Sequence, residues 1–186
     1  MKKILETQRL YLRELTKEDY GDLCDILQNK EVMYAYEHAF CDDEVKDWYD
    51  RQITRYSEHG FGLWAVIEKG ENRFVGQCGL SIQKIKEGSG LETTVSRTAE
   101  YLEIGYLLKM DYWHMGFATE AAIGCREYAF GTLKAPAVYS IIRDSNIASQ
   151  NVAKRVGMKI MGETVKHYYN VDMPHYIYGI ENPALK

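Results

Sequence analysis

The chain has 186 residues, the length of one domain, and is 46% apolar and 27% charged, which excludes collagen, coiled coil and extended disorder. Its formal net charge of −4, from 23 Lys and Arg against 27 Asp and Glu, argues against a nucleic-acid backbone binder, which needs clustered cations. A single domain of this size, 1–186, buries roughly 70% of its unfolded surface and needs no disulfide or metal to hold it.

From the N-terminus, Met1 to Arg13 carries Lys2, Lys3, Glu6, Arg9 and Arg13, which leaves no apolar stretch for a signal peptide. Gln8 to Leu15 alternates, with Leu10 and Leu12 on one face and Arg9, Tyr11 and Arg13 on the other, and predicts a strand. Thr16 opens a helix, with Asp19 placed as in a capping box and Leu23, Ile26 and Leu27 as its apolar stripe. A second helix follows Asp42, on the spacing of Val45, Trp48, Tyr49, Ile53 and Tyr56. Three strands come next: Leu63 to Ile67, Phe74 to Ile82 and Glu100 to Leu108. A turn at Gly70 to Asn72 makes the first two antiparallel, and the polar Lys84 to Arg97 stretch is a hairpin excursion. Trp48, Trp64 and Cys78 are expected in the core.

From Phe117 the period becomes helical, through Ala121, Ala122, Cys125 and Ala129 to Gly131. Val138 to Ile142 is a strand, Asp144 or Ser145 caps a further helix ending at Gly157, and Met158 to Tyr169 and His175 to Ile180 are strands turning at Asn170 to Pro174. The order β, α, α, β, β, β, α, β, α, β, β is that of an α+β domain with a mostly antiparallel mixed sheet and one strand–helix–strand crossover. No apolar run approaches the roughly 18 residues of a membrane span, so no membrane partner is expected. The four cysteines and five histidines form neither a C-x-x-C nor an H-E-x-x-H, so no metal is expected and the thiols read as reduced, in a cytoplasmic protein.

The most informative segment is Glu103 to Ala121, EIGYLLKMDYWHMGFATEA. A strand ends near Leu108 and a helix starts near Gly116, with small residues at the entry. The first amides of a helix lack intrahelical partners and favour an anion, so the turn can receive a pyrophosphate, although a plain tight turn has the same pattern. No G-x-x-x-x-G-K-[ST], and no G-x-G-x-x-G at a strand–helix junction, points to another nucleotide fold.

Trp113-x-x-Gly116-x-Ala118 followed by Thr119-Glu120-Ala121 resembles the acyl-CoA loop of the GCN5-related N-acetyltransferases, in the Rim-type form of the ribosomal-protein N-terminal acetyltransferases. Thr7-x-Arg9-Leu10-x-Leu12-Arg13 resembles that subgroup's first strand, and Glu103-Ile104-Gly105-Tyr106 its fourth. Asn146-x-x-Ser149, with Val152 to Met158, resembles its last helix. The resemblance covers nearly the whole chain in the expected order. It departs at His114-Met115, where Gly-Lys or Gly-Arg is common, and at Ala153, where many relatives outside the subgroup carry a Tyr.

The resemblance implies a twisted sheet of about seven strands flanked by about four helices, with a splay between the fourth and fifth strands. It implies transfer of an acetyl group from acetyl-CoA to a primary amine, a protein N-terminus or a small molecule, by direct attack in a ternary complex. Glu103 is then the base, with Glu100 as fallback, and the Leu107 N–H receives the oxyanion. Leu107, Leu108 and Lys109 pair with the pantetheine. His114, Met115, Gly116, Phe117, Ala118 and Thr119 hold the pyrophosphate. Ser149 meets the leaving thiolate, and Asn146 contacts the pantetheine or caps its helix. Alternation puts Glu103 on one face with Gly105, which leaves room beside it.

Tyrosine is over-represented, with 15 residues. Tyr34 and Tyr36, with Glu37, and Tyr168, Tyr169, Tyr176 and Tyr178 in the tail fall where the resemblance places the acceptor, and suit a cationic amine. The resemblance leaves a homodimer open. It also leaves open a non-catalytic acyl-CoA-binding domain, which acetyl transfer across an amine panel distinguishes.

Overall fold

The computed structural model describes residues 3–86, 98–168 and 170–185. One sheet runs through them in the order β1-β2-β3-β4-β5-β6-β8-β7. Its strands are β1 (Lys3–Glu6), β2 (Leu10–Arg13), β3 (Leu63–Glu68), β4 (Arg73–Lys86), β5 (Thr98–Leu108), β6 (Ala137–Arg143), β7 (Lys159–Tyr168) and β8 (Val171–Glu181). The helices are α1 (Tyr20–Leu27), α2 (Asp42–His59), α3 (Phe117–Gly131) and α4 (Ile147–Val156). All neighbours pair antiparallel except β5 and β6. The α+β expectation holds, with one strand more than predicted. Lys-Ile-Leu-Glu is too short to show a period, but it folds back on β2 through a turn closed by the Thr7 N–H on the Leu10 carbonyl, 2.9 Å.

The sheet is covered on both faces. Trp64 and Val66 join Leu10, Leu12, Leu80 and Ile104 under α3 and α4. Ala65 and Ile67 of the same strand join Leu15, Phe74 and the stripe Leu23, Ile26 and Leu27 under α1 and α2. That is why β3 reads as a continuous apolar run: burial on both faces removes the polar alternate. Cys78 and Cys125 are free thiols in the first core, their sulfurs 3.6 Å apart.

The capping box at Thr16 and Asp19 is present, and it opens a 3-10 turn (Lys17–Asp19) that leads into α1. Arg13 clasps the same carboxylate with both terminal nitrogens, at 2.6 and 2.7 Å, and so ties β2 to the start of α1. Several predicted boundaries shift. Asn146, not Asp144 or Ser145, caps α4, its side chain accepting from the Ser149 N–H at 3.0 Å. Gly131 is the last helical residue of α3 and Thr132 is its cap. The tail hairpin is tighter than expected: β8 starts at Val171, and Pro174 pairs within the strand opposite Val165. Residues 87–97 of the excursion lie outside the described residues, but its two stems pair from Lys86 and Thr98 onward. Among the described residues no helix is long and apolar enough to cross a membrane.

Candidate functional site

The parallel contact between β5 and β6 consists of one pair, Glu103 with Tyr139. Immediately beyond it, side chains replace the backbone ladder. The Ser140 hydroxyl donates to the Ile104 carbonyl at 2.8 Å, and the Ile141 N–H donates to Glu103 Oε1 at 3.2 Å. The strands then diverge, and the expected splay between the fourth and fifth predicted strands becomes the floor of a cleft of about 1340 Å³.

Register decides which amides face this gap. The Lys109 N–H donates to the Val75 carbonyl at 3.0 Å, and β4 and β5 pair without a bulge from there to Thr98. Bonded and non-bonded pairs alternate in an antiparallel ladder, so Leu107 also points its N–H at β4, opposite Gln77. This corrects the expectation for Leu107 and for the Lys109 backbone: Tyr106 and Leu108 turn their N–H groups toward the gap. The Lys109 side chain is likewise elsewhere, between Asp22 at 2.6 Å and Asp25 at 2.8 Å.

At the far end of the cleft lies the N-terminus of α3. Gly116 is its cap, with φ +81°, and His114 has φ +60°, so the chain passes twice through the left-handed region as it enters the helix. Phe117, Ala118 and Thr119 then present amides with no intrahelical acceptor. Trp113 fixes the loop to β5 by donating its indole N–H to the Leu108 carbonyl at 3.0 Å. His114, Gly116, Phe117, Ala118 and Thr119 line the cleft. Met115 does not; it is 50% exposed, and its carbonyl accepts from Arg9 at 3.0 Å.

The likeness of Thr7-x-Arg9 to that subgroup's first strand has a mechanical basis that sequence reasoning missed. The Thr7 hydroxyl, the Arg9 N–H and the Arg9 guanidinium all reach the Glu120 carboxylate, at 2.6, 2.7 and 2.7 Å. Burial alone would raise that carboxyl, but these three donors hold it below its ordinary value. They also offset its charge beside the loop, where an unpaired acid would repel an anion. Arg9 stacks on the Phe117 ring, 4.5 Å from guanidinium carbon to centroid, and so braces the first turn of α3.

Glu103 is half-buried on the cleft wall and its Oε2 accepts from the Ser81 hydroxyl at 3.3 Å. Burial pushes its carboxyl above the ordinary glutamate value, against the opposing pull of Lys166, the Ile141 N–H, Ser81 and Arg55. A carboxyl raised in this way is a stronger base than an ordinary glutamate and suits the proton-accepting role. Glu100 is exposed, paired with Lys84 at 3.3 Å, and off the cleft wall.

Asn146 and Ser149 also line the cleft. The Asn146 carbonyl oxygen is shared between the Ser149 N–H and the Tyr34 hydroxyl, the latter donating at 2.7 Å across the cleft. Both readings of Asn146 narrow: the cap is made, and its amide nitrogen is what remains for a ligand. The Tyr106 hydroxyl donates to the Ser149 carbonyl at 3.1 Å, and Ala153 is buried in the core under α4.

The tyrosines divide. Tyr34 and Tyr36 line the cleft, and Tyr36 meets the Trp48 ring edge-on at 6.4 Å. Trp48, expected in the core, is a half-buried wall residue whose indole N–H donates to Gln77 at 3.0 Å. Tyr178 is a core residue of β8 and the half-buried Tyr176 packs edge-on against it; neither lines the cleft, which corrects the acceptor assignment for Tyr176 and Tyr178. The backbone of Tyr168 ends β7, and Tyr169 lies outside the described residues. Glu37 is not on the wall; it pairs with Arg143, which is. Among the described residues no cluster of three metal-ligating side chains forms, and no cysteine lines the cleft.

The family profile described as "Acetyltransferase (GNAT) domain" matches residues 9–159. Among solved structures, the fold is similar to a GNAT-family acetyltransferase from Bacillus anthracis, with a TM-score of 0.76 and 22% identity over 96% of this chain and 98% of that one. It is also similar to the ribosomal-protein-S5-alanine acetyltransferase of Vibrio fischeri, with a TM-score of 0.71 and 18% identity over 97% of each chain. A third is the spermidine N-acetyltransferase of Vibrio cholerae, solved in complex with CoA and spermine, with a TM-score of 0.69 and 16% identity over 94% and 96% of the two chains.

Proposed function

The chain belongs to the GNAT acetyltransferase family, and from that premise we propose that it moves the acetyl group of acetyl-CoA to a primary amine by direct attack in the splay, with Glu103 as the base. The observation that carries this reading is the placement of Glu103. It is a desolvated carboxyl at the last β5–β6 pair, on the wall of the cleft that also holds the free amides of α3.

The cofactor would lie along the open edge of β5. Its pyrophosphate would meet the amides of Phe117 to Thr119, which attract an anion through the helix dipole and direct hydrogen bonds. Its pantetheine would run past Leu108 and Tyr106 toward Glu103. Five residue steps of strand lead from Leu108 to Glu103, a rise of about 17 Å. The amine, neutralised through Glu103 directly or by one water, attacks the thioester carbonyl. The oxyanion would take the N–H at Tyr106 or Leu108, fixed donors that need no reorganisation as charge develops. Collapse expels the thiolate, and the Ser149 hydroxyl is the nearby group assigned to receive it. The Trp113 lock between loop and strand is our reason for grouping the chain with Rim-type members.

Gly116 tests the cofactor half. Its φ of +81° strains any L side chain by about 1–2 kcal/mol. Gly116→Ala adds that strain with its Cβ 3.4 Å from Arg9 Nη2, and Gly116→Val also presses its methyls on the Arg9 brace of this turn. Isothermal titration with CoA should show affinity falling several-fold for Ala and about tenfold or more for Val, with the helical circular dichroism kept. Equal affinity in Gly116→Val would remove the pyrophosphate from this loop.

A further inference from the structure

The half of the cleft around Glu103 carries the charge opposite to the one expected from Tyr34, Tyr36 and Glu37. Arg51 and Arg55 sit one turn apart on α2, and both line the cleft. Neither has an ion-pair partner among the described residues. Arg55 makes one hydrogen bond, to Gln52 Oε1 at 3.3 Å, and Arg51 stacks near Trp48 at 5.5 Å. Like charges at this spacing repel, and burial together with Arg51 holds the Arg55 guanidinium below its ordinary value. Lys166 of β7 lines the same cleft, also without an ion-pair partner among the described residues. Arg143 adds a buried Nε with no hydrogen-bond partner, although its terminal nitrogen is held by Glu37.

Carboxylates are scarce in this half. The other acids of the wall, Glu6, Glu120 and Glu127, belong to β1 and α3 at the far end. Glu6 is engaged by Lys3 and Lys69, and Glu120 by Arg9. That leaves Glu103 as the carboxylate among the described residues facing Arg55 and Lys166. A polyamine would bring further positive charge to a wall that already has an excess of it.

We propose that the acceptor is a small amine that also bears an oxyanion, a carboxylate or a phosphate, and that Arg51, Arg55, Arg143 and Lys166 hold that anion so that the amine lies against Glu103. This rests on the acetyl-transfer reading above. Guanidinium groups offer planar, paired donors that match both oxyanions. The same cations disfavour a second positive charge nearby. They therefore lower the pKa of the bound ammonium and ease loss of its proton to Glu103. The nitrogen lone pair then forms the new N–C bond, the C–S bond breaks, and the sulfur leaves with the electron pair as CoA thiolate. The anion is held but takes no part in the bond changes.

The test measures CoA release by the full-length protein with matched amines: O-phosphoethanolamine against ethanolamine, β-alanine against β-alaninamide, and spermidine. The oxyanion member of at least one pair should have kcat/KM about ten- to a hundredfold above its neutral counterpart and above spermidine. The pair showing the preference tells phosphate from carboxylate. The double variant Arg51→Gln/Arg55→Gln should lower kcat/KM for the preferred acid about tenfold more than for its neutral counterpart, chiefly through KM, and so collapse the preference. Lys166→Gln, on another element, repeats the test should the α2 variant fail to fold. Equal or better use of spermidine or of the neutral amines by the wild type overturns the anion site and leaves acetyl transfer standing. Tight CoA binding with no amine of this panel or of a broader one acetylated overturns both.

Discussion

Glu103→Gln should lower kcat with the preferred amine by about two to four orders of magnitude while leaving CoA affinity within a few-fold of wild type. The amide can still accept from the Ile141 N–H and pair with Ser81, so the splay keeps its shape and what is lost is the proton acceptor. The wild-type rate should rise with pH through the raised value of Glu103, and the variant should lack that limb, recovering partly where the amine loses its own proton. Stability moves the other way. Because burial raises the pKa of Glu103 in the folded state, the native protein holds that proton more tightly than the unfolded chain. The carboxyl therefore costs stability increasingly as pH rises above the ordinary glutamate value, and the neutral amide escapes this cost. The variant should melt no lower than wild type at neutral pH. Unchanged turnover in a folded variant would remove Glu103 as the base.

Arg13→Ala should destabilise the fold by about 3–5 kcal/mol, the range for removing one partner of a buried ion pair. Asp19 is 3% exposed, and its two oxygens accept from Arg13, from the Thr16 N–H at 2.7 Å and from the Thr16 hydroxyl at 3.1 Å. Burial alone would raise the Asp19 carboxyl, but these donors hold it below its usual value. The pair's contribution is therefore complete above the ordinary aspartate pKa of about 3.9 and is lost as pH falls through the depressed value. Urea denaturation followed against pH should show that acid limb in wild type. It should be absent in Arg13→Ala, whose stranded carboxylate instead becomes easier to bury as it protonates. A double change, Arg13→Met with Asp19→Leu, should recover most of the loss, since apolar replacement of both partners removes the desolvation cost. A loss under about 1 kcal/mol in Arg13→Ala would place this pair with weak surface bridges.

The sequence disclosed most where one local rule acts alone. Alternation over Gln8 to Leu15 locates β2, which is shorter at Leu10–Arg13, and the Thr16–Asp19 box and the helical spacing after Asp42 read correctly, because neighbouring residues carry the whole signal. The loop at Gly116 was legible because a strand, small residues and a helix meet within a few positions. What stayed hidden depends on partners far apart in the chain. Glu120 is read as a helix residue until Thr7 and Arg9 arrive 113 and 111 positions away. Leu107 and Leu108 differ only by the parity of the β4–β5 register, which no single strand reveals. The charge of the proposed acceptor wall is assembled from α2, β6 and β7. A tyrosine count cannot separate Tyr34, on that wall, from Tyr178, 1% exposed in the core.

Arg51 and Arg55 did carry a signal of their own: two cations one turn apart on α2. Their spacing alone fits a solvated surface, and the wall they share with Lys166 gives it another meaning.

The central claim, direct attack by the amine on bound acetyl-CoA in the splay, is tested most directly by initial rates of CoA release with acetyl-CoA and the preferred amine varied together. Lines that intersect in the double-reciprocal plot, with no acetyl group on the protein by intact mass after incubation with acetyl-CoA alone, are the predicted result. Parallel lines, together with an acetylated protein that passes its group to the amine, would contradict it.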